Sequence, residues 1–248
     1  MALVLCNDMG DGITQIILNR APVNALSPGF LMEFSDKLDQ LAADTSVRGV
    51  VISSAFRTFS AGLDLKEAVE FDLNDEYATV KSLNVAFLNL FAFPKPVVTA
   101  ITGAAIAGGL FFVLASDYRV AGPKAKFGLA EIRVGVDFPV GPMEIARATL
   151  APNDLRRLML AGQPITAAAA ETSGLVDALV AQEDVVETAI AMAKAMAGSP
   201  PKAYAAVKRQ IRGDTIARIQ QAMDQGANEP ADGWFTDETK SAMRRMIG

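Results

Sequence analysis

Histidine is absent from this 248-residue chain, and cysteine occurs once, at Cys6. The first absence excludes a Ser-His-Asp triad, a Cys-His pair and a histidine-ligated metal. The second excludes an internal disulfide and a zinc site built from thiolates. Acid–base chemistry is left to carboxylates, tyrosine, lysine or Cys6. Clustered positive charge is also missing. The chain has 23 Lys and Arg against 28 Asp and Glu, a net charge of −5, with no Lys/Arg run. Nucleic acid is therefore not expected as a main partner. No apolar run is long enough to span a membrane, and the longest, residues 110–115, stops at Ser116-Asp117. Asn7, Asp8 and Asp11 interrupt the opening apolar residues, and no basic segment precedes them. The expectation is a cytoplasmic protein with no signal peptide and no membrane contact.

Hydrophobic residues make up 51% of the chain and charged residues 21%, a composition that folds. The length fits one large domain, or a domain with a small appendage. Strand patterns occur at residues 13–18, 47–53, 97–101, 118–121, 126–128 and 175–180. Between them lie helical patterns. Ser27 caps a helix with Pro28 at its first position, running to about Ala43. Residues 66–93 are mostly helical and end at Pro94 and Pro96. Gly108-Gly109 opens an apolar helix that stops near Asp117. Residues 142–150, 153–161 and 167–173 follow, the last capped by Thr166. From Val185 onward the spacing predicts four helices, with breaks near Ser199-Pro200-Pro201, Gly213-Asp214 and residues 230–236. Alternation up to about residue 180 followed by helix alone indicates an α/β fold with an all-helical carboxy-terminal part.

Two Gly-rich segments each follow a strand: Phe59-Ser60-Ala61-Gly62-Leu63-Asp64-Leu65 and Gly103-Ala104-Ala105-Ile106-Ala107-Gly108-Gly109-Leu110. Such segments let backbone approach a ligand and aim N–H groups at it, and two converging N–H groups make an oxyanion hole. Each alone also reads as an ordinary turn. Glu131 sits in a largely apolar stretch, where desolvation would raise its pKa and make it a base near neutral pH. Local composition equally allows a surface Glu paired with Arg133 or Arg147. Asp64 reads as the cap of the helix after Leu65, Asp117 as a helix cap or terminator, and Asp137 as a loop residue. Phe111, three residues after Gly108, reads as core.

Together these residues resemble the enoyl-CoA hydratase/isomerase family, or crotonase superfamily. The resemblance runs from the loop Asn19-Arg20-Ala21-Pro22-Val23-Asn24-Ala25-Leu26, similar to a CoA-contacting loop, to the last helix. It implies a spiral of ββα units over residues 1–198 that holds the acyl-CoA site. Residues 199–248 would form a helical region that drives assembly of a homotrimer or a dimer of trimers. It implies that the N–H groups of Leu63 and Gly108 hold the thioester oxygen as an enolate, with Glu131, at the end of a distal strand, as the acid–base group. It implies contacts to the acyl-CoA from Ala25, Leu26, Ala61, Asp64, Leu65, Phe87, Phe111, Val136 and Phe138. No metal and no cofactor are implied, because coenzyme A is part of the substrate.

Hydratases of this family carry a second glutamate in the helix after the second Gly-rich segment, where this chain has Phe111. A single carboxylate in a drier pocket suits moving a proton within the substrate. The mitochondrial-type Δ3,Δ2-enoyl-CoA isomerases are the most similar group, through Pro22-Val23-Asn24-Ala25-Leu26-Ser27, Arg48-Gly49-Val50 and Asp117-Tyr118-Arg119. The alternatives are a hydratase in which Asp137 or an ordered water compensates for Phe111, and a non-catalytic acyl-CoA-binding member. The loop of residues 136–142 and the helix of residues 66–93 are distinctive, which leaves the acyl chain open.

Overall fold

A six-stranded sheet runs through the computed structural model, which describes residues 2–247. Its order is Val4–Asp8, Ile13–Leu18, Gly49–Ser54, Val97–Ile101, Tyr118–Ala121 and Ala178–Leu179. The first pair is antiparallel and the rest are parallel. Gly49–Ser54 and Val97–Ile101 are almost wholly buried, as apolar runs such as Val50-Val51-Ile52 require of strands covered on both faces.

Four strands of this sheet are each followed by a short strand outside it, and then by a helix. Ile13–Leu18 leads to Ala25–Leu26 and the helix Pro28–Ala43. Gly49–Ser54 leads to Gly62–Leu63 and the helices Leu65–Ala68 and Leu73–Ala92. Val97–Ile101 leads to Ala104–Ile106, a 3-10 turn Ala107–Leu110 and the helix Phe111–Leu114. Tyr118–Ala121 leads to Lys126–Gly128, then Glu131–Val134 and Val140–Thr149. This repetition is the expected ββα spiral. The short strands form their own small sheets, and Ala25–Leu26 pairs in parallel with Gly62–Leu63.

Local chemistry sets the helix starts. Ser27 Oγ accepts the Phe30 N–H, and Thr166 Oγ1 accepts that of Ala169. Asp64 Oδ1 accepts the N–H groups of Lys66 and Glu67, the expected cap, while its Oδ2 takes Arg20 at 2.8 Å.

The fold departs from the sequence reading at several elements. Val4–Asp8 is a strand that hydropathy does not reveal, since four of its five residues are exposed on a sheet edge. The strand expected at residues 175–180 is only Ala178–Leu179. Three helices rather than four fill the carboxy-terminal part: Val185–Ala197, Pro201–Asp224 and Asp237–Ile247. Gly213-Asp214 does not break the second, because one mid-helix glycine costs only about 1 kcal/mol. Anchors on both sides of it exceed that: Arg212 bonds to Phe91 O and Ala115 O, and Ile219 is buried.

Asp117 is a further departure. Rather than capping a helix, it is a buried anion accepting from Val97 N–H at 2.9 Å, Tyr204 Oη at 3.0 Å and Lys208 Nζ at 2.7 Å. Arg212 pairs with its other oxygen at 2.9 Å. The carboxylate thus ties the long helix Pro201–Asp224 to the central sheet. Asp117→Ala would leave buried Lys208 and part-buried Arg212 without their carboxylate and is expected to cost about 3–5 kcal/mol, read as a lowered denaturation midpoint in urea.

No helix among the described residues is long and apolar enough to cross a membrane.

Candidate active site

The small parallel pair Ala25–Leu26 and Gly62–Leu63 meets the 3-10 turn Ala107–Leu110, bringing the two Gly-rich segments together. Phe59 and Ser60 N–H groups bond to Ala104 O, and Ile106 N–H bonds back to Ser60 O at 3.0 Å. Buried Asn24 locks the third loop to them: its Nδ2 donates to Phe59 O at 2.9 Å, and Ser60 Oγ donates to Asn24 O at 2.7 Å. Gly62 has φ +82°, and a Cβ there would lie 2.7 Å from Ala107 Cβ and 3.4 Å from Gly108 N. Gly62 is therefore packed directly against the backbone of the Ile106–Gly108 turn. Gly108 is in the first turn of its helix, where N–H groups have no intrahelical acceptor. Ala107, with φ +50°, adopts a left-handed conformation that an L-residue holds at a cost.

Beside these segments lies a cavity of about 710 Å³, counting its open mouth. Leu26, Ala61, Leu63, Leu65, Gly108, Phe111, Glu131, Val136 and Phe138 line it, so the expected residues from four separate segments do converge. Ala25, Asp64 and Phe87 lie outside the lining. Ala25 O accepts Arg20, and Asp64 is the helix cap. Phe87 is fully buried behind Phe111, with ring centroids 5.6 Å apart, so it backs the wall rather than forming it. Phe111 meets Phe138 edge-on at 6.3 Å.

Glu131 is the one titratable residue in the lining among the described residues. It begins the short helix Glu131–Val134 rather than ending a strand. Its residue is 7% exposed, and Oε2 has no hydrogen-bond partner among the described residues. The surface pairing that local composition allowed does not occur, and Arg147 pairs with Glu144 instead. Burial pushes the Glu131 carboxyl up to about 8, only partly opposed by a bond from its own N–H.

The rest of the wall comes from the chain's far end. Trp234, Met243 and Met246 line the cavity, as does Leu83. Sequence reading missed them, although the single Trp and the apolar positions of the last helix were the available signal. Asp137 is not in the lining, and its Oδ1 accepts Trp234 Nε1 at 3.0 Å. Within the described residues, no group of three or more His, Cys, Asp or Glu is arranged to hold a metal.

Residues 8–244 match the family model for enoyl-CoA hydratase/isomerase. The chain belongs to the enoyl-CoA hydratase/isomerase family. Among its relatives is a probable enoyl-CoA hydratase of Mycobacterium tuberculosis, 34% identical over 202 residues, or 81% of this chain and 77% of the relative. A 2,3-dehydroadipyl-CoA hydratase of Escherichia coli is 34% identical over 212 residues, 85% of this chain and 82% of its own. In three dimensions the chain is similar to human mitochondrial Δ3-Δ2-enoyl-CoA isomerase, with TM-score 0.93 and 28% identity over 99% of this chain and 97% of that one. Membership makes an acyl-CoA thioester the expected substrate.

Proposed function

We propose that this family member is an isomerase that shifts the double bond of a 3-enoyl-CoA to trans-2-enoyl-CoA. One observation carries the reading: a single carboxylate, Glu131, in an otherwise apolar cavity that Phe111 also lines. Ionised Glu131 removes a proton from C2. The C2 electron pair delocalises over the thioester, and the Leu63 and Gly108 N–H groups hold the resulting dienolate oxygen. Glu131 then returns the proton at C4, which moves the double bond to C2–C3. The cycle neither gains nor loses water and calls for no metal or redox cofactor. Addition of water would need a further group to position and activate it, and Asp137 is turned away to Trp234. The hydratase reading draws support from the names of the sequence relatives.

A base with a free-enzyme pKa of about 8 is mostly protonated at pH 7. For the isomerase, kcat/KM should rise about ten-fold per pH unit below 8 and level off above it. A profile that instead falls above pH 8 would identify Glu131 as a proton donor in the first step and contradict this mechanism.

The same reading includes assembly as a homotrimer or a dimer of trimers. Val207 and Ile211, one turn apart on the helix Pro201–Asp224, are 53% and 77% exposed and form an apolar stripe that a second copy would cover. Light scattering at micromolar concentration should give at least three times the 26.2 kDa chain mass, and a monomer would refute it.

A further inference from the structure

From the wall that the carboxy-terminal segment builds over the cavity, we propose that Trp234 determines substrate specificity. It walls the cavity beside the loop that supplies Val136 and Phe138 and restricts the site to short, uncharged acyl chains. The inference rests on the acyl-CoA reading of the cavity.

Trp234 is held from two directions. Its ring N–H donates to Asp137 Oδ1 at 3.0 Å, on the loop that also supplies Val136 and Phe138 to the cavity. Its backbone N–H donates to Glu76 Oε2 at 2.7 Å, and the Phe235 N–H donates to the same oxygen at 3.0 Å. Glu76 lies in the helix Leu73–Ala92, is 4% exposed, and has Lys240 at 3.7 Å from its other oxygen. The approach depends on Gly233, where φ is +77° and a Cβ would stand 2.7 Å from Glu76 Oε2. Stacking adds to this: Trp234 lies on Phe235 at 5.0 Å, and Phe235 on Phe71 at 6.2 Å. Thr239 Oγ1 donates to Gly135 O at 2.7 Å and Lys240 Nζ to Phe71 O at 3.1 Å, which fix the following helix. A side chain restrained on both its ring and its backbone cannot swing aside cheaply, so a long acyl chain would meet a fixed indole.

The charge of the wall sets the second limit. Its lining among the described residues includes no Lys or Arg, and its one acid is Glu131. An acyl chain ending in a carboxylate would bring a negative charge into an apolar cavity without a counter-ion.

The test is equilibrium binding of saturated acyl-CoAs, which does not depend on which reaction the site performs. Butanoyl-, hexanoyl-, decanoyl-, dodecanoyl- and adipyl-CoA are titrated by calorimetry into the wild type and into the Trp234→Ala, Trp234→Phe and Asp137→Ala variants. The wild type should bind hexanoyl-CoA at least ten-fold more tightly than dodecanoyl- or adipyl-CoA. Trp234→Ala should shift the dodecanoyl-to-hexanoyl ratio at least ten-fold toward the longer chain. Asp137→Ala should shift it in the same direction by less, and Trp234→Phe should stay near the wild type. If Trp234→Ala does not fold, Asp137→Ala carries the test. An unchanged ranking in the variants, or equal binding of hexanoyl- and adipyl-CoA by the wild type, overturns this inference alone. Failure of the wild type to bind any of the five overturns both it and the acyl-CoA reading.

Discussion

Glu131→Gln is expected to lower kcat for isomerisation by about 10³-fold while leaving acyl-CoA dissociation constants within a few-fold. Gln keeps the shape of the side chain and removes the titratable carboxyl that takes up and returns the proton. The rest of the lining has no titratable residue to take over. The substitution has a second, independent signature. A carboxyl raised from 4.5 to about 8 by burial holds its proton in the folded state where the unfolded chain has lost it. Between those values the folded state binds more protons, so stability falls as pH rises, by at most about 1.4 kcal/mol per pH unit, and levels off above 8. Glu131→Gln should remove that slope. Urea denaturation at pH 5, 7 and 9 measures it. A variant with near-wild-type turnover would exclude Glu131 as the base, and an unchanged slope would mean that the carboxyl is not buried in solution.

Gly62→Ala is expected to lower kcat by about 10²-fold, the typical loss when one oxyanion donor is displaced. The added methyl would fall 2.7 Å from Ala107 Cβ and 2.9 Å from Ile106 O, neither of which can rotate away. At φ +82° the new side chain is also strained. The pair Ala25–Leu26 and Gly62–Leu63 must then move away from the 3-10 turn, which separates the Leu63 and Gly108 amides. The effect should appear in kcat more than in KM, since the oxygen carries full charge only in the enolate. A variant that folds with kcat within two-fold of wild type would show that these amides do not form the anion site.

Much of this architecture is legible in the sequence because it is locally encoded. Gly62 is needed where two backbones touch and Gly108 where a Cβ would meet the Leu26 side chain at 2.7 Å, Ser27, Asp64 and Thr166 cap their helices, and Val50-Val51-Ile52 can only be a covered strand. Glu131 was ambiguous for a physical reason: whether a carboxyl is buried depends on segments far away in the chain. The cavity wall of Trp234, Met243 and Met246 was not visible because those residues arrive from the opposite end, with nothing in their spacing to mark the site. Asp117 was misread for the same reason, since Tyr204, Lys208 and Arg212 reach it only in the folded chain. Phe87 has the apolar character of a pocket residue, but its depth behind Phe111 is a tertiary fact.

The most direct test is product analysis of the purified protein with 3-hexenoyl-CoA and, separately, with trans-2-hexenoyl-CoA, by chromatography and mass. An isomerase built on one carboxylate should convert 3-hexenoyl-CoA to a 2-hexenoyl-CoA of unchanged mass and leave 2-hexenoyl-CoA essentially unhydrated. Rapid gain of one water by 2-hexenoyl-CoA, with Phe111 in place, would contradict the account and assign the site to hydration.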